Sequence, residues 1–286
     1  MILQRPPRPE LRPFVERVWA QDPDWAQDPD EAIGAARERV LPTGAMHVVF
    51  RLDAPLRVYD GPDDPRGRTI GTAVVGGARA AASLRDVSRP TRSVGAMLRP
   101  GAAEGVLGVP AGALAGRHTD LADLWRGTGD LHAWLGEAPT LAARLDRFES
   151  ILLARLPRVR GVHPAIAFAL ERFASTREVA PVAAASGYSQ RRFLALFREA
   201  VGLSPKVYCR VGRLQDALAR AARGERWADV ALAAGYSDQA HLVREFREIA
   251  GVTPGEYLRA SPRALNHVPV GPLPIRPRRR PAEGPC

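Results

Sequence analysis

The strongest constraint on the fold of this chain is a repeat in its C-terminal third. Residues 184–208 read AASGYSQRRFLALFREAVGLSPKVY, and residues 233–258 read AAGYSDQAHLVREFREIAGVTPGEYL. In each copy an Ala-rich segment is followed by Gly-Tyr-Ser, an amphipathic segment and a closing Gly-apolar-Ser/Thr-Pro. Gly supplies the left-handed turn that ends a helix, and Ser caps the helix that follows. The repeat therefore predicts two helix-turn-helix units.

Within each copy, the second helix is expected to bury one face and expose the other. Phe193 and Phe197 mark the apolar face of the first copy, and Leu242 and Phe246 mark that of the second. Pro is expected at the first position of the next helix, where its missing N–H costs nothing. The residues predicted to form the turns, caps and helix starts are Gly187, Ser189, Gly202, Pro205, Gly235, Ser237, Gly251 and Pro254.

The segment between the copies, residues 205–222, carries a continuous apolar stripe that predicts a single helix. Such a helix would hold the two units at a fixed separation. Two rigidly spaced units can enter successive major-groove segments on one face of a duplex, about 34 Å apart. The repeat therefore predicts double-stranded DNA as a partner.

Residues 163–260 resemble the DNA-binding module of the AraC/XylS family of bacterial transcription regulators. The segments GYSDQAHLVREFREIAGVTPGEYLR and GRLQDALARAARGE carry this resemblance. It implies an all-α, seven-helix, two-lobed module that binds specific DNA sequences, with RNA polymerase as a further partner. The resemblance places the contacts to bases at the start of each second helix, at Gln190, Arg191, Leu194, Gln239, Ala240, Val243 and Arg244.

Four other basic residues, on these helices or just after them, are expected to contact phosphates, which position the protein without reading sequence. They are Arg192, Arg198, Lys206 and Arg247. The first copy departs from the family at Ala195, where an Arg is common and where Arg244 stands in the second copy. Whether the first unit reads bases therefore stays open.

The charge of the chain favours an anionic partner. The net charge is +10 and the isoelectric point is about 10.7. Residues 163–260 hold 14 basic and 10 acidic residues, and residues 261–286 hold 5 and 1, so each contributes +4. An alternative explanation is GC-rich coding, since every basic residue except Lys206 is Arg. The position of the excess on and after the repeat favours nucleic acid.

The N-terminal half predicts short strands separated by Gly, Pro and Asp turns, as in an antiparallel β sandwich or barrel. Residues 39–52, RVLPTGAMHVVFRL, and residues 98–125, LRPGAAEGVLGVPAGALAGRHTDLADLW, resemble an uncharacterised cupin-like sensor domain. The overall fold class is therefore α+β. A loop is predicted through residues 22–31.

The predicted role of the sensor is to bind a small apolar effector. Its pocket is expected to be lined by Met46, Val48, Phe50 and Met97 with Trp19 nearby, although these residues are equally consistent with plain core. His47, His118 and His132 lack the spacing of metal ligands, so neither metal nor cofactor is expected. We expect no enzymatic activity. The alternative is an enzyme or small-molecule-binding N-terminal domain whose DNA binding is secondary.

Four segments are predicted: a sensor and dimerisation domain over 1–156, a linker over 157–162, the DNA-binding module over 163–260 and a disordered basic, Pro-rich tail over 261–286. The amphipathic helix over 140–156 either packs on the sheet or forms a homodimer. No apolar run approaches the roughly 18 residues of a membrane helix, and the N-terminus lacks a signal peptide. The protein is expected to be cytoplasmic, without membrane contact.

Overall fold

The computed structural model describes residues 1–23, 37–156, 161–262 and 264–270. Ten of the eleven described strands lie within residues 2–120 and seven of the eleven described α-helices lie within residues 164–260, so the α+β prediction is confirmed. Most of the predicted loop at 22–31 and of the predicted linker at 157–162 lies outside the described residues, as does the tail beyond Val270. No described helix is both long and apolar enough to cross a bilayer.

Eleven described strands form two antiparallel sheets. The first sheet has the order β1-β2-β9-β4-β7-β10, and the second has the order β11-β3-β8-β5-β6. The strands are β1 (Ile2–Arg5), β2 (Val15–Gln21), β3 (Arg37–Val40), β4 (Met46–Arg51), β5 (Arg57–Tyr59), β6 (Arg68–Thr69), β7 (Ala73–Gly76), β8 (Ser83–Asp86), β9 (Ser93–Leu98), β10 (His118–Asp120) and β11 (His267–Val270).

Eleven α-helices lie in the described ranges, together with two short 3-10 turns at Pro9–Leu11 and Leu121–Asp123. The helices are α1 (Ala103–Leu107), α2 (Ala111–Leu114), α3 (Thr128–Gly136), α4 (Leu141–Arg155), α5 (Pro164–Ser175), α6 (Val179–Ala185), α7 (Gln190–Val201), α8 (Pro205–Ala222), α9 (Trp227–Ala233), α10 (Gln239–Ala250) and α11 (Pro254–Ala260). The last seven, α5 to α11, form the predicted seven-helix module.

The main core of the N-terminal domain lies between the first sheet and α4. Side chains alternate along β4, so Met46, Val48 and Phe50 point toward the helix and are buried there. Phe50 meets Phe148 of α4 edge-to-face, with ring centroids 6.1 Å apart. These three residues are plain core, which is one of the two alternatives that the sequence left open, and they point away from the second sheet. Met97 and Trp19 lie on the opposite face of the first sheet.

The same core determines whether the apolar stripe of α4 packs within the domain or is free to pair with a second copy. Leu145, Phe148, Ile151 and Leu152 form its apolar stripe, and all four are buried within the domain. The stripe therefore packs on the sheet and is not available for pairing with a second copy. The homodimer prediction through this helix is wrong for that reason.

The predicted tail begins differently from the sequence expectation. His267–Val270 forms β11 and pairs antiparallel with Arg37–Val40. Val268 is 1 % exposed and packs in the same core as Leu242 and Phe246. The prediction of disorder from residue 261 is wrong for residues 264–270. The Pro-rich composition of the tail gave no sign of this strand. Residues 267–270 are ordered because they pair with β3 and because Val268 packs in an apolar core.

The N-terminal domain contacts both halves of the helical module. Leu41 is buried in the core of the second helix-turn-helix, and Ala82 N–H donates to Ile249 C=O at 2.8 Å. On the other side α2 packs on α7: a Cβ added at Gly112 would lie 3.2 Å from Glu199 Cα. Gln215 Nε2 of α8 donates to Pro42 C=O at 2.7 Å. Both helix-turn-helix units are thus in contact with the sensor domain.

Candidate nucleic-acid interface

The first unit consists of α6 and α7. α6 ends at Ala185 with Ser186 as its C-cap, and Gly187 adopts a φ of 78°, the left-handed conformation that the turn requires. The Ser189 side chain accepts a hydrogen bond from Arg192 N–H and so caps α7. Phe193 and Phe197 are fully buried and fix the inner face of the helix. Its outer face is left to solvent.

The second unit, α9 and α10, repeats this arrangement with one change. Gly235 has a φ of 83°, but the cap of α10 is Asp238, whose carboxylate accepts from His241 N–H at 2.6 Å. The predicted cap, Ser237, is wrong because the second copy carries one extra residue between Tyr-Ser and the helix. Ser237 instead contacts His241 Nδ1 at 3.1 Å. The hydrogen bond from His241 N–H holds the pKa of Asp238 below its ordinary value.

Both units end in the same way. Gly202 and Gly251 are the left-handed C-caps of α7 and α10. Pro205 and Pro254 start the next helices, which are capped by Ser204 and by Thr253. Thr253 forms a full capping box with Glu256.

A single 18-residue helix, α8, joins the two units. Its side chains anchor the second recognition helix through Glu245, a buried carboxylate of α10. Arg210 Nε lies 2.9 Å and Arg213 Nη2 lies 3.0 Å from Glu245 Oε2. Sequence reasoning missed this three-residue ion cluster. Its only sequence signal is an acidic residue at a position where the first unit has Leu196.

The predicted base-contacting residues lie at the exposed start of each recognition helix. Gln190, Arg191, Gln239, Ala240 and Arg244 are exposed. Leu194 is also exposed, at 36 %. Val243 is half-buried against the core of the second unit and presents only part of its side chain.

The predicted phosphate-contacting residues are all exposed: Arg192, Arg198, Lys206 and Arg247. Neither they nor Arg191 and Arg244 make an ion pair within the described part of the chain. Several arginines elsewhere in the module are paired. Arg177 pairs with Asp216, Arg210 with Glu245 and Glu248, and Arg223 with Glu225. The recognition helices and the start of α8 thus carry six exposed basic side chains without ion pairs among the described residues, a property that Arg172, Arg226 and Arg259 elsewhere in the module share.

Comparison with known families gives two matches. Residues 182–260 match a family described as a helix-turn-helix domain, and residues 3–120 match a domain of unknown function, DUF6597. No match to a curated protein is found.

Among solved structures, the chain is similar to ToxT from Vibrio cholerae. One ToxT structure at 1.65 Å resolution is 11 % identical, with a TM-score of 0.46, and the similarity covers 90 % of this chain and 97 % of that one. A ToxT structure bound to an unsaturated fatty acid is 12 % identical, with a TM-score of 0.44, and covers 79 % and 91 %.

Two capped helix-turn-helix units on one connecting helix, each with an exposed basic recognition face, define a DNA-binding transcription regulator. The C-terminal domain is a helix-turn-helix domain of the AraC type, and it follows an N-terminal DUF6597 domain.

Proposed function

We propose that the two units read adjacent major-groove segments of one specific DNA site. In this proposal Gln190, Arg191 and Leu194 contact bases from the first unit, and Gln239, Ala240, Val243 and Arg244 do so from the second. Gln suits adenine and Arg suits guanine, because each can form two hydrogen bonds to the base edge. Leu194 and Val243 suit thymine methyl groups.

The observation that carries this proposal is the set of exposed basic side chains without ion-pair partners among the described residues. Arg192, Arg198, Lys206 and Arg247 are placed to contact phosphates, whose neutralisation releases counterions and supplies much of the affinity. The connecting helix α8 supports the spacing. Its 18 residues correspond to about 27 Å of rigid rod, comparable to the roughly 34 Å between successive major-groove segments.

The first unit lacks an arginine at the position of Arg244, because Ala195 stands there. Its base contacts therefore rest on Gln190 and Arg191, with Arg192 nearby. We expect the second unit to contribute more sequence preference than the first.

The N-terminal domain regulates this binding in response to an effector, and it does so through its contacts with both units. Because α2 touches α7 and Ala82 is hydrogen-bonded to Ile249, a change in the sensor domain alters how the two units are presented. RNA polymerase is the partner through which a bound regulator of this kind acts on transcription.

The direct test is selection of bound sites from random DNA with the full chain, followed by titrations of two variants. Arg244→Ala should weaken specific binding by about 1–3 kcal/mol and relax preference at one position. Arg247→Ala, the matched control on the same helix, should weaken specific and random DNA equally and lower the salt slope by about 1. Failure to enrich any sequence, or equal losses for Arg244→Ala on both DNAs, would overturn the proposal.

A further inference from the structure

A polar cavity, wide open to solvent, lies between the two sheets of the N-terminal domain at the ends of β5, β8 and β10. Its volume is about 390 Å³, within the range of small-molecule sites. Alanines 80–82 form a small apolar wall. The other lining residues include Arg68, Arg79, Arg117, His118 and Asp60.

The two histidines of this region lie on the sheet face that points toward the second sheet. Gly76 pairs with His47 on one side and with His118 on the other. Val74, two residues from Gly76 and on the same face, packs with Val58 of the second sheet. His47 and His118 are therefore directed into the space between the sheets, and only His118 reaches the cavity itself.

Arg79 is the central basic group of the cavity. Its Nη1 donates to Ser83 Oγ at 2.8 Å and lies 3.0 Å from His118 Nε2. Burial lowers the pKa of Arg79 to about 10. Burial and the neighbouring Arg79 lower the pKa of His118 to about 3, so its ring is neutral and Nε2 can accept from Arg79.

No carboxylate within the described ranges lies within ion-pair distance of Arg79. The contrast with Arg85 on the adjoining strand is clear, because Arg85 Nη2 lies 2.6 Å from Glu38 Oε2. Arg79 is half-buried, so its guanidinium is partly desolvated without an anion beside it, and a bound anion would compensate that cost. The three cavity arginines face one carboxylate, Asp60, so the lining carries a net positive charge.

We propose that this cavity binds a small effector bearing a carboxylate or phosphate group, with Arg79 as its anchor and Arg68 and Arg117 at the rim. This inference rests on the proposed function, because it names the class of effector that the regulator senses. It replaces the small apolar effector expected from the sequence.

The segment from Ala78 to Ala82, which includes the wall of the cavity, contacts both helix-turn-helix units. Ala78 packs against Gly202, the C-cap of α7, where an added Cβ would lie 3.2 Å from the Ala78 side chain. Ala82 N–H donates to Ile249 C=O in the last turn of α10. Arg79 lies between these two contacts. An anion held by Arg79 therefore fixes the segment that positions the ends of both recognition helices.

Binding is tested on the full chain by calorimetry and thermal unfolding, with sodium phosphate and sodium benzoate as separate probes against sodium chloride of equal ionic strength. We expect at least one probe to bind saturably and to raise Tm. Arg79→Gln should weaken that binding at least tenfold. Arg89→Gln removes the same charge from an exposed site of the same domain and should leave binding unchanged.

The two probes separate the chemical classes. Binding of phosphate alone assigns a phosphorylated effector, and binding of benzoate alone assigns a carboxylate. Saturable binding that is equally strong in Arg79→Gln would place the anion on other arginines, such as those of the recognition helices, and would overturn the site. Absence of saturable binding by either probe would also overturn it.

A DNA titration keeps this inference distinct from the proposed function. The effective probe should change the DNA affinity of the unmodified chain at least threefold and that of Arg79→Gln less than twofold. If the chain binds DNA but neither probe, the cavity assignment fails and the proposed function stands. If a probe binds through Arg79 but no duplex is bound, the proposed function fails and the anion site stands.

Discussion

The two helix-turn-helix units share one pattern but are held in place by different forces. The first unit is held by an aromatic cluster. In it, Phe197 packs edge-to-face against Phe173 and Tyr208, with ring centroids 5.7 Å apart in both pairs. The second has its own aromatic contacts and also the buried Glu245, which is held by two arginines of α8. Apolar packing is tolerant of small rotations, whereas paired charges fix direction. The second recognition helix is therefore the more firmly oriented on the connecting rod.

The units also differ in where the sensor domain contacts them. The first contacts α2 near Glu199, and the second contacts β11 and the loop at Ala82. The second unit, which carries Arg244, is thus held by ion pairs and by packing against β11. The first unit, which carries Ala195, is held by apolar packing of helices. This difference favours the proposal that the second unit contributes more sequence preference than the first.

The largest expected effect comes from the aromatic cluster. Phe197→Ala should lower the free energy of unfolding by about 3–5 kcal/mol, because it leaves a cavity among Phe173, Phe193 and Tyr208. Leu194→Ala, on the exposed face of the same helix, should change it by less than about 0.5 kcal/mol. Urea denaturation measures both. Similar losses for the two variants would show that this packing does not hold the first unit.

The ion cluster of the second unit comes next. Glu245→Gln should cost about 2–3 kcal/mol, since it leaves Arg210 and Arg213 facing a neutral amide. Glu248→Gln, whose side chain is 64 % exposed and also pairs with Arg210, should cost no more than about 0.5 kcal/mol. The same denaturation experiment compares them. Equal effects would remove the distinction between a charge-anchored and an apolar unit.

The repeat made most of the helical module predictable. Turn glycines, caps and N-terminal prolines are local features, so their spacing predicts helix boundaries directly from the chain. The one error at a cap, Ser237, came from a single-residue insertion that shifts which side chain precedes α10. Local rules located the cap to within one residue but could not choose between Ser237 and Asp238.

The structural features that could not be predicted from the sequence are contacts between residues that lie far apart in the chain. Whether Met46 points to a pocket or to a helix depends on which face of the sheet α4 covers. The pairing of Glu245 with Arg210 and Arg213 depends on the crossing of two helices, and β11 depends on a partner strand more than 200 residues earlier in the chain. The uncompensated Arg79 is visible only once the space between the sheets is known.

The third prediction transfers the specificity of one unit to the other. Ala195→Arg places an arginine where Arg244 stands in the second unit, and we expect about 1–3 kcal/mol tighter binding to sites with guanine at the facing position. Ala174→Arg, an exposed position of α5 outside the recognition helices, adds the same charge. It should strengthen binding to all sequences alike. Competition titrations with specific and random duplexes separate the two, and equal gains for Ala195→Arg would show a phosphate contact only.

The smallest expected effect concerns the two caps. Ser189→Ala should cost about 1 kcal/mol, whereas Ser237→Ala should have almost no effect, because Ser237 lies outside α10 and does not cap it.

The caps also differ in their response to acid. The folded-state pKa of Asp238 lies below its ordinary value of 3.8. The stabilisation of α10 by the ionised Asp238 cap is therefore complete above pH 3.8, and it is lost as the pH falls through the folded-state pKa. Ser189 has no charge to lose. Hydrogen exchange at the His241 amide should therefore accelerate on acidification relative to the Arg192 amide, after correction for intrinsic rates. Asp238→Ala should abolish that difference, and its persistence in the variant would mean that acid acts on the second unit through another group.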